Sequence, residues 1–313
     1  MDSSQVYHIK QQFTLGAYPA LITIPVPDPS SPDYTPTVLY KARAYIALHD
    51  PASALALIPG NTENVALRAV AALAKGDEGL ETLRDLCVEI DGDEDVGEWE
   101  KEILAVLAAT AFVRTGEIEE ALETLRNAAK AGDETSAVLA QIYLSLSRPS
   151  AAQKTLSSAL RVNPDALVLQ LAEATISLAT GAQGTREPYS AAISFFTEQL
   201  ANPSVSSAAL LVGRGVVRIL RGEVAAARSD LEEAESILSR AQTDQGIDEI
   251  LAAMVVAAGL GAGKRGEAEE LWSRLSRQYP SHPMVTDLSA KAELFDSSAA
   301  QFVVPPRAVA VAS

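Results

Sequence analysis

The residues in this chain that could do chemistry are few: three histidines, one cysteine and an acidic loop. A nucleophile and its base must come within hydrogen-bond reach of each other. His8, His49 and His282 lie in three different helical segments, or on their flanks, so no such pair assembles easily. None of them has a second histidine four residues on, the spacing that puts two zinc ligands on one helix face. Asp91, Asp93, Asp95 and Glu102 take the first, third, fifth and twelfth places of a calcium loop. The sixth place, where glycine allows the sharp turn, is Val96, and Gly97 comes one residue late, so a solvated acidic loop is expected. Gly261, Gly263 and Gly266 match the glycines of a dinucleotide loop, which needs a preceding strand. Residues 251–257 read instead as helix. The expectation is a chain with no catalytic residue, no metal and no cofactor, in which carboxylates such as Glu117, Glu119, Glu120 and Glu123 sit on solvated helix faces.

The elements that carry these residues read as helices. Hydrophobic residues make up 48% of the chain but aromatics only 5%, so alanine and leucine dominate the apolar set, as suits helices packed at close range. The net charge of −16 excludes the clustered cations that hold nucleic acid or anionic lipid, and the longest basic run is Lys264-Arg265. A lone Cys87 makes no internal disulfide, no signal-like segment opens the chain and no apolar run approaches a membrane span. These features lead to an expectation of a cytosolic protein.

An internal repeat organises the sequence. Ala109, Phe112, Ala121, Leu125 and Ala128 recur, 31 residues on, as Ala140, Tyr143, Ala152, Leu156 and Ala159, followed by Pro164. Two antiparallel helices approach closely only where each presents a small residue, an aromatic fills the space beside that contact, and proline ends the unit. These are the positions of a tetratricopeptide repeat. Ala172, Thr175, Ala192 and Phe196 mark a further unit, with a longer turn at 181–188, and Gly215, Ala227, Leu231 and Ala234 another. Gly116 and Gly222, both in Gly-Glu turns, lie 106 residues apart, three steps of the same period. Five prolines between Pro25 and Pro36 predict an extended linker. Helical patterns resume at 37–49, 51–58, 62–75 and 78–90; the last hairpin spans 247–279 and a capping helix 283–296. The predicted fold is an all-α, tetratricopeptide-like right-handed α-solenoid of about eight helical hairpins plus a C-terminal capping helix, over residues 1–296, with 297–313 a flexible tail.

In such arrays the first helix of each pair lines a concave wall. Counting from the small residues gives one row, Val106, Ala137, Leu169 and Val212, and a second row, Val113, Leu144, Ile176 and Ile219, all eight aliphatic. Between them run Thr110, Gln141, Glu173 and Val216. Arrays that capture a carboxylate terminus carry Lys, Arg and Asn there; an apolar trough with a polar seam points to a protein partner bound by burial. A register one residue out would place the same side chains in the hairpin core. Arg214 and Arg218, which fall on core positions of their unit, favour that alternative locally.

Four short blocks occur in order along the chain: Phe13, Leu15-Gly16 and Tyr18; Arg43-Ala44-Tyr45-Ile46-Ala47; Ser177 to Gly181 with the long turn; and Ser281-His282-Pro283, Ala290-Lys291, Glu293 and Phe295-Asp296. They are similar to the opening hairpin, second segment, central unit and C-terminal signature of the epsilon subunit family of coatomer, the coat of Golgi-derived vesicles, and the chain as a whole resembles that family. The proline-rich 25–36 stretch and the tail after Phe302 depart from it. The resemblance implies a non-catalytic, cytoplasmic coat subunit, peripheral on Golgi membranes and coated vesicles through the coat. It implies a heterodimer with the C-terminal domain of the alpha subunit, and a place in Golgi-to-ER and intra-Golgi transport. The alternative is an adaptor or co-chaperone-type module with a transient peptide partner.

Overall fold

A computed structural model describes residues 3–90, 92–128, 132–181, 189–261 and 265–302. Among the described residues no strand forms, and the helices fall into eight consecutive pairs and a last single helix. The pairs are α1 (Ser4–Thr14) with α2 (Tyr18–Leu21), α3 (Tyr34–Ala47) with α4 (Pro51–Leu57), and α5 (Val65–Ala74) with α6 (Leu80–Glu89). Then come α7 (Glu98–Thr115) with α8 (Ile118–Asn127), α9 (Asp133–Ser145) with α10 (Pro149–Val162), and α11 (Leu167–Thr180) with α12 (Ser190–Leu200). The last pairs are α13 (Ala208–Leu220) with α14 (Val224–Ala241) and α15 (Ile247–Leu260) with α16 (Arg265–Gln278), before α17 (Pro283–Ala299). The architecture is the expected all-α, tetratricopeptide-like one.

Repeat residues act as their spacing requires. Ala109, Ala121, Ala140 and Ala152 are all at most 1% exposed, and Phe112, Leu125 and Leu156 are buried beside them. At Gly215 an added Cβ would stand 3.2 Å from the Leu231 side chain, so a larger residue fits this hairpin only if Leu231 gives way by a few tenths of an ångström. Helix ends follow local chemistry. Ser3, Asp50, Asn64 and Ser207 accept hydrogen bonds from backbone amides of the first turns of α1, α4, α5 and α13. Gly116 ends α7 in the left-handed conformation at φ 85°, which leaves its amide free to close the last turn.

The linker is shorter than its prolines suggested. Pro36 lies in the first turn of α3, where backbone N–H groups have no helical partner, so the ring costs no hydrogen bond. The last helix runs to Ala299, three residues past the expected 296. The rest of the expected tail, from Val303 on, lies outside the described residues, as do most of the turn at 181–188 and the glycine-loop residues 262–264.

The contacts divide the chain into residues 1–246 and 247–313. In the first unit one buried cluster runs without interruption from Val38 to Ile176. The N-terminal helix does not stop at its own hairpin. α1 packs on α3 and also reaches α11. Leu15, just past its end, is buried among Ala174, Phe196, Val205 and Leu210. Gln12 Nε2 donates to the Ser204 carbonyl at 3.1 Å and the Ser207 hydroxyl donates to the Leu15 carbonyl. Residues about 190 apart are thereby fastened together within this unit. The second unit is small: Leu251, Leu275 and Val285 form its core, with Trp272, Tyr279 and Met284 against them.

Candidate functional site

The twelve positions predicted to line a groove do not form one open surface. Val106, Ala137 and Leu169 are at most 2% exposed, and Ile176 and Ile219 are buried as well. The trough reading needs correction here. α9 packs on both α7 and α11, first helix against first helix, so a residue three places before the hairpin alanine turns into the seam between neighbours. Val106, Ala137, Leu169 and Ile176 therefore belong to the continuous core. The one-residue alternative in register describes these side chains better.

What stays accessible is the middle row, Thr110, Gln141, Glu173 and Val216, and its margin. Gln141 and Glu173 are exposed; Thr110, Val113, Leu144, Val212 and Val216 are half-buried. The Thr110 hydroxyl donates to the Val106 carbonyl at 2.7 Å, so it is turned back on its own helix. Glu173 and Ile176 also line a cleft of about 450 Å³ between α10, α11 and α12, with Leu156, Ser157, Leu160 and Tyr189 on its other walls. Its mixed apolar and hydroxyl lining carries no array of cations to hold a carboxylate.

Arg214 and Arg218 have a specific explanation that their spacing did not supply. Arg214 donates to both Asp230 oxygens, to Oδ2 at 3.0 Å and Oδ1 at 2.7 Å, and Arg218 approaches Oδ2 at 2.7 Å. Asp230 is 3% exposed, so α14 provides a buried acceptor for two cations from α13. A desolvated guanidinium is tolerated only when paired in this way.

A second buried ion pair ties the N-terminal layer down. Arg43 on α3 makes a two-pronged bond to Glu134 on α9 and lies over the Phe13 ring of α1, 4.3 Å from its centroid. Burial raises the Tyr18 phenol, and the Arg43 charge opposes that rise. Glu102, placed in a calcium pattern by sequence, has another task. Its carboxylate on α7 accepts the amides of Glu134 and Thr135 at 3.2 and 3.4 Å and caps α9. Burial raises its pKa, and those amide bonds pull the other way. Cys87 is pushed up to about 11 by burial and the nearby Glu120, the opposite of what a nucleophilic thiol needs. Among the described residues no group of three potential ligands gathers for a metal ion, and no helix is long and apolar enough to cross a membrane.

Sequence reasoning missed the fastening of α1 and the two buried ion pairs. The α1 contact was faintly visible, since Val6, Ile9 and Phe13 share a helix face that an isolated hairpin would leave bare.

The comparisons with known proteins agree with this architecture. A sequence profile of the coatomer epsilon subunit family matches residues 2–303. The "Probable coatomer subunit epsilon" of Schizosaccharomyces pombe is 27% identical over 307 residues, covering 96% of each chain. "Coatomer subunit epsilon-1" of Arabidopsis thaliana is 25% identical, covering 95% of this chain and 97% of its own. A tetratricopeptide repeat protein from Parabacteroides merdae has a TM-score of 0.52 at 15% identity, over 80% of this chain and 95% of its own, and shows the fold alone. The chain belongs to the coatomer epsilon subunit family.

Proposed function

We propose that this coat subunit is a non-catalytic clamp for the C-terminal domain of the alpha subunit, held on the first-helix face around Thr110, Val113, Gln141, Leu144 and Glu173. In that role it works in the cytoplasm, peripheral to Golgi membranes, in Golgi-to-ER and intra-Golgi transport. The observation that carries the reading is the family match over residues 2–303, joined to a chain whose titratable groups serve as caps and ion pairs. The seam supports it by its chemistry. Thr110, Gln141, Glu173 and Val216 include no cation for a peptide carboxylate, which disfavours a carboxylate-clamp adaptor. Half-buried Val113 and Leu144 beside exposed Gln141 suit a partner that covers apolar margins and hydrogen-bonds across a polar centre.

Titration calorimetry of the purified alpha C-terminal domain against this chain tests the reading. Leu144→Asp should weaken binding at least about tenfold, or 1.4 kcal/mol, while the helical circular-dichroism signal persists. The doubly exposed variant Gln141→Arg/Glu173→Arg serves if Leu144→Asp disturbs the fold. Wild-type affinity in both variants, or no binding by the unmodified chain, would remove the alpha-clamp reading.

A further inference from the structure

A hydroxyl residue precedes proline at two places in the chain, Ser31-Pro32 and Thr35-Pro36, both in the proline-rich stretch between α2 and α3. Proline lacks a backbone N–H, fixes its own φ and biases the residue before it toward extended backbone. An extended hydroxyl followed by a position without an N–H is the substrate that a proline-directed protein kinase reads.

The structure separates the two hydroxyls. Ser31 lies between helices, half-buried, with Ser30 and Pro32 exposed on either side. Turn contacts hold it. Its amide donates to the Asp28 carbonyl at 2.8 Å, its carbonyl accepts from the Tyr34 amide at 3.1 Å, and its hydroxyl accepts from the Asp33 amide at 3.3 Å. Drawing residues 28–33 out into a kinase cleft breaks these bonds but takes no apolar side chain from the core, and Lys41 still holds the Ile24 carbonyl at the start of the loop. Thr35 sits in the first turn of α3, and Thr37, Val38 and Leu39 just beyond it are fully buried. Extending the chain around Thr35 would unwind α3 and expose that core.

Neighbouring charges select the same hydroxyl. No Lys or Arg lies between Lys10 and Lys41, which leaves a kinase that reads upstream cations nothing to bind. Ser30, with Asp33 three residues on, is the rival for an acid-reading kinase, but its hydroxyl donates to Asp28 Oδ1 at 2.6 Å. A phosphate on Ser30 would stand against that carboxylate. On Ser31 it would stand at the start of α3, which no side chain caps and whose dipole favours an anion. We infer that Ser31 is a phosphorylation site for a proline-directed protein kinase. The Ser31 Oγ attacks the γ-phosphorus of ATP, the bond to the β,γ-bridging oxygen breaks, ADP leaves, and the hydroxyl proton passes to the catalytic aspartate of the kinase. The loop gains a charge of about −1.5 to −2. The inference is independent of the alpha-clamp reading, since no residue of this loop belongs to the proposed first-helix face.

The test incubates the full chain with a cyclin-dependent kinase, its cyclin and ATP, and locates phosphate by mass spectrometry. The same peptides are mapped in the chain isolated from its own cells under phosphatase inhibition. An opened loop is far more populated than an unwound helix start, so Ser31 should carry at least about tenfold more phosphate than Thr35, and more than Ser30. Ser31→Ala should remove most of the incorporated phosphate and Thr35→Ala almost none, with circular dichroism as the check that both variants fold. Phosphate chiefly on Ser30 or Thr35, incorporation undiminished in Ser31→Ala, or a Ser31 that carries no phosphate in cells would overturn the inference.

Discussion

The two contact units end in opposite ways. In residues 1–246, the first helix doubles as a strut: Leu15 is inserted among α11, α12 and α13 residues, and Arg43 crosses from α3 to Glu134 on α9. The apolar end of α1 and the Arg43 charge are thus matched within the unit. In residues 247–313, three helices share a small core, and α17 leaves it with Leu288, Leu294 and Phe295 exposed. The contrast teaches that a repeat chain can satisfy one end by folding back on itself while, among the described residues, the other keeps apolar side chains in solvent. Nearest-neighbour packing alone predicts two similar ends; the difference lies in a few long-range contacts.

Substitutions can break or sharpen this comparison. The largest effect is expected from Asp230→Ala, which takes the shared buried carboxylate away from the half-buried Arg214 and Arg218. Orphaning a buried charge costs about 3–5 kcal/mol, to be read from urea unfolding, and a cost below about 1 kcal/mol would show the pair to be solvated in practice. Next is Leu15→Ala, at 2% exposure a cavity-forming change expected to cost about 2–5 kcal/mol. If α1 is a strut, hydrogen exchange should quicken in α11 to α13 as well as in α1; quickening in α1 alone would make it an ordinary terminal helix. Ala152→Leu, at a fully buried hairpin contact, should cost about 1–3 kcal/mol by overpacking, a local loss against which the strut's long-range loss can be compared.

The smallest effect concerns pH. The folded chain holds the Glu102 proton more tightly than the unfolded chain, because burial raises the carboxyl above its ordinary value. Its contribution is therefore fully present below the unfolded pKa of about 4.3 and is lost as pH rises through the raised folded value. Glu102→Gln removes that dependence. Its melting temperature relative to wild type should climb between pH 4 and pH 7, and a difference independent of pH would show that the amide bonds offset the burial fully.

Much of the fold was legible because it is local and periodic. Ala109, Phe112 and Ala121 declare a hairpin by spacing alone, and all are buried where the spacing puts them. Pro36 misled because a proline in a first turn looks in sequence like a proline in a linker. The groove was less legible for a geometric reason. Neighbouring first helices pack against each other, so Val106, Ala137 and Leu169 are claimed by the seam between units, which a count within one hairpin cannot see. Arg214 and Arg218 were readable only as a conflict, since Asp230 lies on the other helix of the pair. The exposure of Leu288 and Phe295 on α17 was hidden by the regularity of their spacing: an alternating three-and-four pattern looks the same whether or not another helix packs on it.

Hydrogen exchange measured by mass spectrometry on the free chain tests the contrast most directly. Amides of α1 should exchange as slowly as those of α11 to α13, while residues 286–299 exchange much faster. An α1 that exchanges like a frayed terminus, or an α17 as well protected as α1, would contradict it.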